Sequence, residues 1–156
     1  MKDRLDEAAA AARRVDPRAK LCRIFGLALR ADGTILLGEP GKFVPRWEYA
    51  FADDQDGEAP PRYVTVLYLS PEAPIVDPSA GNVSAAAPFP SWAASSLADS
   101  DLLAAAFNAQ PGYERMGGFD HDSILYQVEK GEPVVLMGNW KGQHLRMDPV
   151  TRSVIL

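Results

Sequence analysis

The amino-terminal residues carry an apolar and polar pattern that predicts an α-helix over residues 3–15. Apolar side chains recur every three or four positions, and charged side chains fill most of the other positions. The residues of this apolar face are Leu5, Ala8, Ala12 and Val15. Asp3 can cap the amino end of the helix. Pro17 disfavours helical backbone at the residue before it, so the helix is predicted to end by Asp16.

The next apolar run predicts a β-hairpin. Residues 21–29 are short and mostly apolar, and residues 34–37 are apolar again. Asp32-Gly33 lies between them and is a strong turn pair, because glycine readily adopts the positive φ that tight hairpin turns need. We therefore expect these two runs to pair as neighbouring strands.

Three aromatic residues mark a further strand. Trp47, Tyr49 and Phe51 alternate with Arg46, Glu48 and Ala50, which is the period of a half-buried strand. Two interpretations stay open at this point. The aromatic side chains either pack in the core under a helix or line a concave sheet face, where aromatic residues often dominate binding. A β-branched and aromatic run at residues 63–69 predicts the following strand.

Residues 70–96 carry five prolines and interrupt the pattern. A second helix is predicted after them, with Asp99 or Ser100 as its cap and Pro111-Gly112 as its end. Its apolar stripe consists of Leu102, Leu103, Ala106 and Phe107. Strands are then predicted over residues 123–128, 133–137, 143–147 and 153–156.

The resulting order of helix, strands, linker, helix and strands suggests an internal duplication. Aligning residues 63–66 with residues 134–137 places Asp77-Pro78 on Asp148-Pro149 without a gap.

We therefore predict an α+β fold made of two helix-plus-antiparallel-sheet units, packed as one compact body. The units would span residues 1–84 and 99–156, and residues 85–98 would form a linker rich in proline, alanine and serine.

The ends of the two units carry a related pattern. Residues 76–83 read Val-Asp-Pro-Ser-Ala-Gly-Asn-Val, and residues 147–154 read Met-Asp-Pro-Val-Thr-Arg-Ser-Val. Both resemble the closing strand-turn-strand of PepSY-like modules, which run apolar residue, Asp, two residues, Thr-Gly, one residue and Val. The first segment has Ala80 in place of the threonine, and the second has Arg152 in place of the glycine. The resemblance implies a helix laid across a small antiparallel sheet in each unit, and a non-catalytic role in inhibition, regulation or binding.

Composition narrows the classes of partner. The chain of 156 residues has a net charge of −5 and no dense run of lysine and arginine, which argues against nucleic acid and anionic membranes. The uncharged residues 78–98 include Pro78, Pro88 and Pro90 and are not expected to cross a membrane. Cys22 is the only cysteine, so no internal disulfide is expected and a cytoplasmic location is predicted.

Candidate catalytic or metal-binding residues are sparse. Asp120-His121-Asp122 combines good ligands for a transition metal, but His144 is the only other histidine and is predicted to lie at a different strand end. An EF-hand loop needs oxygen ligands at its first and twelfth positions. Aligning the acidic run at residues 53–58 with such a loop places an oxygen ligand at neither position. We therefore predict no catalytic residues, no metal and no cofactor.

These observations favour binding over catalysis. The predicted function is a non-catalytic protein-binding or regulatory module, of which an inhibitor or immunity-like protein is one form. The expected partner is another protein, with a homodimer also allowed. The predicted binding residues are Trp47, Tyr49, Phe51, Trp92 and Trp140. The alternative is a small-molecule-binding protein or small enzyme with a pocket between helix and sheet.

Overall fold

The structure, a computed structural model, describes residues 1–39, 43–53, 63–78, 88–90 and 93–155. The strands in chain order are β1 (Ala19–Leu27), β2 (Arg46–Asp53), β3 (Tyr63–Tyr68), β4 (Ile75–Asp77), β5 (Ser123–Glu129), β6 (Glu132–Gly138) and β7 (His144–Met147). The helices are α1 (Lys2–Val15), α2 (Ala93–Ser96) and α3 (Ser100–Asn108). Within the described ranges the strands form one antiparallel sheet in the order β4-β3-β2-β1-β5-β6-β7.

The two long helices form where the periodicity predicts them, although Val15 of the predicted α1 face is exposed. Ala8 and Ala12 of α1 are fully buried, and the extended backbone of Asp16 ends the helix as expected before Pro17. Asp99 caps α3, since its carboxylate accepts a hydrogen bond from the backbone N–H of Ser100. Leu102 of the predicted stripe faces outward, whereas Leu103 and Phe107 are buried.

Alternation along the strands divides the sheet into two faces. One face carries a cross-strand row of apolar side chains over all seven strands. This row is Val76, Val66, Tyr49, Ile24, Tyr126, Val135 and Met147. Side chains of α1 and α3 join the same buried cluster, so both helices cover this face. The opposite face carries a second, smaller buried cluster, which consists of Cys22, Ala50, Ala52 and Tyr63.

The predicted pair of helix-plus-small-sheet units is wrong, although the fold is α+β in the broad sense. Strand β1 pairs on one side with β2 and on the other with β5, which joins both halves in one sheet. β3 and β6 run in the same direction and bury equivalent residues, but β4 and β7 lie on opposite sides of them. Superposing β3 on β6 therefore cannot place Asp77 on Asp148, and the expected pseudo-symmetry is absent from the described residues.

The predicted hairpin between residues 21–29 and 34–37 is also wrong. The turn at Asp32-Gly33 forms, but the residues after it make no strand. Gly33 has a φ of +78° and packs on the backbone of α3, where an added Cβ would lie 2.4 Å from Cα of Asp101. This contact with α3 directs the chain away from β1, which leaves the edge of β1 for β5.

Parts of the predicted linker belong to the core. Phe89 is buried and its backbone N–H donates to the carbonyl of Leu21, alongside the part of β1 that β5 does not reach. Leu97 is fully buried as well. At the other end of the chain, the predicted strand at residues 153–156 is reduced to a bridge between Val154 and Met147.

Candidate functional site

Several loops meet at one end of the sheet. Leu27, at the end of β1, lies beside Arg46 at the start of β2 and beside Ser123 at the start of β5. Ser123 pairs with Gly138 at the end of β6, and Gly138 pairs with His144 at the start of β7. The loop before β5 and the turn between β6 and β7 therefore lie side by side.

The buried carboxylate of Asp122 joins these two loops. Its Oδ1 accepts a hydrogen bond from the backbone N–H of Trp140 at 2.7 Å. Its Oδ2 accepts from the N–H groups of Gly117 at 2.8 Å and Phe119 at 3.0 Å. The side chain is fully buried, and three backbone donors replace the water that it loses. Asp122 is therefore a structural residue that fixes the positions of the loops around it.

Asn139 and Gln143 tie the same turn to residues 112–114. The Oδ1 of Asn139 accepts from the N–H groups of Lys141 and Gln143, and its Nδ2 donates to the carbonyl of Glu114 at 2.7 Å. Gln143 accepts from the N–H of Glu114 and donates to the carbonyl of Gly112. These side-chain bonds to the backbone hold both loops in one conformation.

Two large aromatic side chains project from this frame. Phe119 is 55% exposed and Trp140 is 40% exposed, with ring centroids 5.3 Å apart and ring planes inclined at 50°. We call this pair the aromatic platform. Nζ of Lys141 lies 4.6 Å from the centroid of the Trp140 ring. The Phe119 ring lies against Gly117, where an added Cβ would come within 2.8 Å of its Cε2.

A second contact between aromatic rings involves the loop that carries Phe119. Phe43 is exposed, and its ring centroid is 5.6 Å from that of His121. His121 follows Phe119 by two residues and is itself exposed. This contact brings an exposed aromatic ring from the residues before β2 to the loop that carries Phe119.

The structure separates the five aromatic residues predicted to bind. Trp47, Tyr49 and Phe51 are buried in the core beneath the helices, which supports the core interpretation of this strand. Trp140 is exposed on the aromatic platform. Trp92 lies outside the described residues. Phe119 was not among the predicted residues, because a single aromatic residue in a glycine-containing loop has no periodicity to mark it.

The buried aromatic residues are held by specific contacts. The Tyr49 hydroxyl donates to the carbonyl of Met1 at 2.9 Å, and burial raises the pKa of that hydroxyl well above its usual value. The Trp47 ring lies over Gly26, where an added Cβ would approach Cζ3 of the ring to 2.6 Å. These side chains form part of the folded interior and have no surface to offer a partner.

The two histidines lie at the same end of the sheet, so the prediction that they lie at different strand ends is wrong. His121 lies two residues before the start of β5 and His144 begins β7, and the register places these ends together. The neighbouring Asp122 carboxylate is occupied by backbone donors. Among the described residues, no group of three or more histidine, cysteine or acidic side chains has the geometry to hold a metal ion. The acidic run at residues 54–58 lies outside the described residues.

A groove lies away from this site, between α1, the first half of β1 and residues 88–90. Its volume is about 830 Å³. Leu5, Leu21 and Phe89 line its apolar part, and the charged side chains of Asp6 and Arg13 line its rim. This is the position predicted by the alternative of a pocket between helix and sheet.

Comparison with known proteins adds nothing to these geometric observations. No protein-family model, curated protein or solved structure matches the chain. Among the described helices, none has both the length and the apolar character needed to span a bilayer.

Proposed function

We propose that this chain is a non-catalytic protein-binding protein, of regulatory, inhibitor or immunity-like type, and that the aromatic platform is the centre of its binding surface. The observation that carries the proposal is the exposure of Phe119 and Trp140 on loops that the buried Asp122 carboxylate holds in place. Large apolar rings cost free energy when left in water, so their exposure on an ordered frame indicates a surface that a partner covers.

The chemistry of the platform fits a protein partner. Tryptophan is among the residues most often found at the energetic centre of interfaces, because it gives a large contact area with few rotatable bonds. A rigid frame lowers the entropy that binding has to remove. Lys141 and the exposed His121 supply a polar rim around the rings. The surface recognises apolar side chains at its centre and polar groups at its edge.

Two other parts of the proposal rest on the sequence. A PepSY-like resemblance at the end of the chain agrees with a regulatory or inhibitory role. In the structure, Asp148 of this segment accepts hydrogen bonds from the N–H groups of Val150 and Thr151. We place the protein in the cytoplasm, since its single cysteine, Cys22, is a free and fully buried thiol.

The experiment that tests the proposal begins with affinity capture from the native host, followed by identification of the captured protein. The dissociation constant of the purified partner is then measured for the parent chain and for Trp140→Ala and Phe119→Ala. Each substitution should weaken binding by a factor of about 30 or more, which corresponds to about 2 kcal/mol for a central aromatic residue.

Val15→Ala is the control for this experiment. Val15 is similarly exposed, but it ends α1 near the start of β1, at the opposite end of the sheet from the aromatic platform. Its substitution should leave the dissociation constant unchanged. Equal affinity of the parent and both platform variants would refute the proposal.

The groove beside α1 supports a second candidate function, small-molecule binding. Its volume lies in the range of ligand pockets, and its apolar part is bordered by charged side chains. Ala9→Phe would fill the groove from α1 without touching the aromatic platform. Loss of function in Ala9→Phe, together with full function in Trp140→Ala, would favour this second candidate over the first.

A further inference from the structure

The groove beside α1 is bounded by parts of the folded core. Its floor contains Leu21 of β1 and Phe51 of β2, which are buried and face each other across the two strands. One wall is α1. The other wall includes residues 88–90, where the backbone N–H of Phe89 donates to the carbonyl of Leu21 at 2.8 Å. The volume of about 830 Å³ lies in the range of small-molecule sites.

Four residues of α1 line the groove as one stripe. They recur at spacings of one, three and four residues, which places them on one side of the helix. These residues are Leu5, Asp6, Ala9 and Arg13. The small side chain of Ala9 leaves space between the helix and the opposite wall. Asp6 and Arg13 are seven residues apart, which is about 10 Å along the helix axis. The stripe therefore has an apolar middle and a charge toward each end.

The two ends of the groove differ in charge. Asp6 lies toward the amino end of α1, where Nζ of Lys2 donates to the carbonyl of Ser95 at 3.4 Å and brings α2 close to α1. Arg13 lies toward the carboxyl end of α1, where the chain turns into β1 and Lys20 adds a second cation to the rim. A ligand along the groove therefore meets a carboxylate at one end and cations at the other.

The charges of Asp6 and Arg13 have no ionic partner in the part of the chain that the structure describes. Both side chains are exposed. They are too far apart in sequence to pair with each other, since ion pairs within a helix join residues three or four apart. Each can therefore contact a charged group of a ligand that lies in the groove.

We propose that the groove binds a short apolar peptide with free termini, with its amino group at Asp6 and its carboxylate at Arg13. Three residues in extended conformation span about 10 Å, which matches the separation of these two residues along α1. The side chains of the peptide contact Leu5, Leu21 and Phe89. Arginine suits the carboxylate end, because its guanidinium can donate two parallel hydrogen bonds to a carboxylate. The inference rests on the second candidate function and is independent of the aromatic platform.

Isothermal titration calorimetry of the full chain with trileucine tests the proposal, and two blocked forms of the peptide test its ends. The parent should bind trileucine with a dissociation constant below about 1 mM. Trileucine amide lacks the carboxylate and N-acetyl-trileucine lacks the amino group, so each should bind about three- to fivefold more weakly. No binding of trileucine at millimolar concentration would overturn the proposal, and so would equal affinity for the three forms.

Substitutions in the protein assign each end of the peptide to its residue. Arg13→Gln should weaken the binding of trileucine to the level of the amide, and should leave the binding of the amide unchanged. Asp6→Asn should give the same pattern with N-acetyl-trileucine. Arg14→Gln is the matched control, because Arg14 is exposed on α1 outside the groove lining, and it should bind all three forms like the parent. Equal weakening of trileucine and its amide by Arg13→Gln would show that the proposed contact is wrong.

A substitution that fills the groove locates the peptide. Ala9→Phe should weaken trileucine binding at least about tenfold, whereas Ala10→Phe should not, since Ala10 is exposed outside the groove lining. Circular dichroism establishes that each variant is folded, and the blocked peptides provide the test if Ala9→Phe does not fold. A folded Ala9→Phe variant with the affinity of the parent would overturn the proposal.

The aromatic platform is tested separately. Trp140→Ala should bind trileucine like the parent, and loss of its affinity for trileucine would place the peptide elsewhere than in the groove. Failure of the parent to bind trileucine leaves the binding of a partner protein at the platform unaffected, so the two proposals fail in different measurements.

Discussion

Two groups of aromatic residues in this protein have similar composition and opposite environments. Trp47, Tyr49 and Phe51 lie on a central strand under the helices and are almost completely buried. Phe119 and Trp140 lie on loops at the end of the sheet and are largely exposed. The buried group owes its position to the alternation of β2. The exposed group owes its position to hydrogen bonds that its backbone N–H groups donate to Asp122. The difference separates residues that stabilise the fold from residues that the fold displays.

The largest expected effect sharpens this contrast. Phe51→Ala removes a buried ring from the core and should lower the free energy of unfolding by about 3–5 kcal/mol. Trp140→Ala removes a ring that is already partly in water and should lower it by less than about 1 kcal/mol. Urea unfolding of both variants measures the difference. Equal losses would show that Trp140 stabilises the fold and is not simply displayed by it.

The next largest effect on stability concerns the hydrogen bonds that hold the loops of the aromatic platform in place. Asp122→Ala leaves three backbone N–H groups without their acceptor and should cost roughly 2–3 kcal/mol of stability. Amide hydrogen exchange should also speed up at Phe119 and Trp140, because their N–H groups are two of the three donors. Asp120→Ala is the matched control from the same loop and should change stability by less than about 0.5 kcal/mol. Unchanged exchange in Asp122→Ala would mean that the loops hold their shape without this carboxylate.

A smaller effect tests the buried tyrosines through pH. Burial raises the pKa of Tyr49 and Tyr126 well above the usual value, and both hydroxyls donate to backbone carbonyls. Above about pH 10 the unfolded chain loses these protons while the folded chain keeps them, so stability falls as pH rises by up to about 1.4 kcal/mol per pH unit for each tyrosine. Tyr126→Phe should make this alkaline loss less steep. Denaturant unfolding between pH 8 and about pH 11 measures it, and an unchanged slope would contradict the burial of this hydroxyl.

The smallest expected effect is a gain in the free energy of unfolding, where the changes above are losses. Arg152 has a φ of +64°, a region that side chains with a Cβ disfavour, and it occupies the glycine position of the PepSY-like pattern. Arg152→Gly should therefore raise the free energy of unfolding by about 0.5–1 kcal/mol. Val150→Gly, in the same turn, is a suitable control and should give no such gain. A destabilised Arg152→Gly would show that the arginine side chain contributes more than its backbone strain costs.

Periodicity was enough to predict most of the elements. Residues 3–15, the cap at Asp99 and the strands around Trp47 and Ile124 all follow from local patterns, which act over a few residues. The strand order did not follow from such patterns, because the pairing of β1 with β5 joins residues distant in sequence. A repeated Asp-Pro turn resembled a duplication but marks two sheet edges that lie on opposite sides.

The candidate site was less predictable than the fold. Trp140 could be proposed from its residue type, but its neighbour Phe119 comes from a loop that the sequence gives no reason to place beside the turn at Trp140. Asp122 resembled a metal ligand in the sequence because it adjoins His121 and Asp120. Its actual partners are backbone N–H groups, which every residue except proline carries. Such contacts leave no pattern of residue types to recognise.

The central claim is that a partner protein contacts the aromatic platform, and site-specific photo-crosslinking in the native host tests it most directly. A photoreactive amino acid at Lys141, beside the Trp140 ring, should give one major adduct with a partner protein. The same amino acid at Val15, at the opposite end of the sheet, should give none, and adding Trp140→Ala to the Lys141 probe should remove the adduct. No adduct at Lys141, or the same adducts from both positions, would contradict the account.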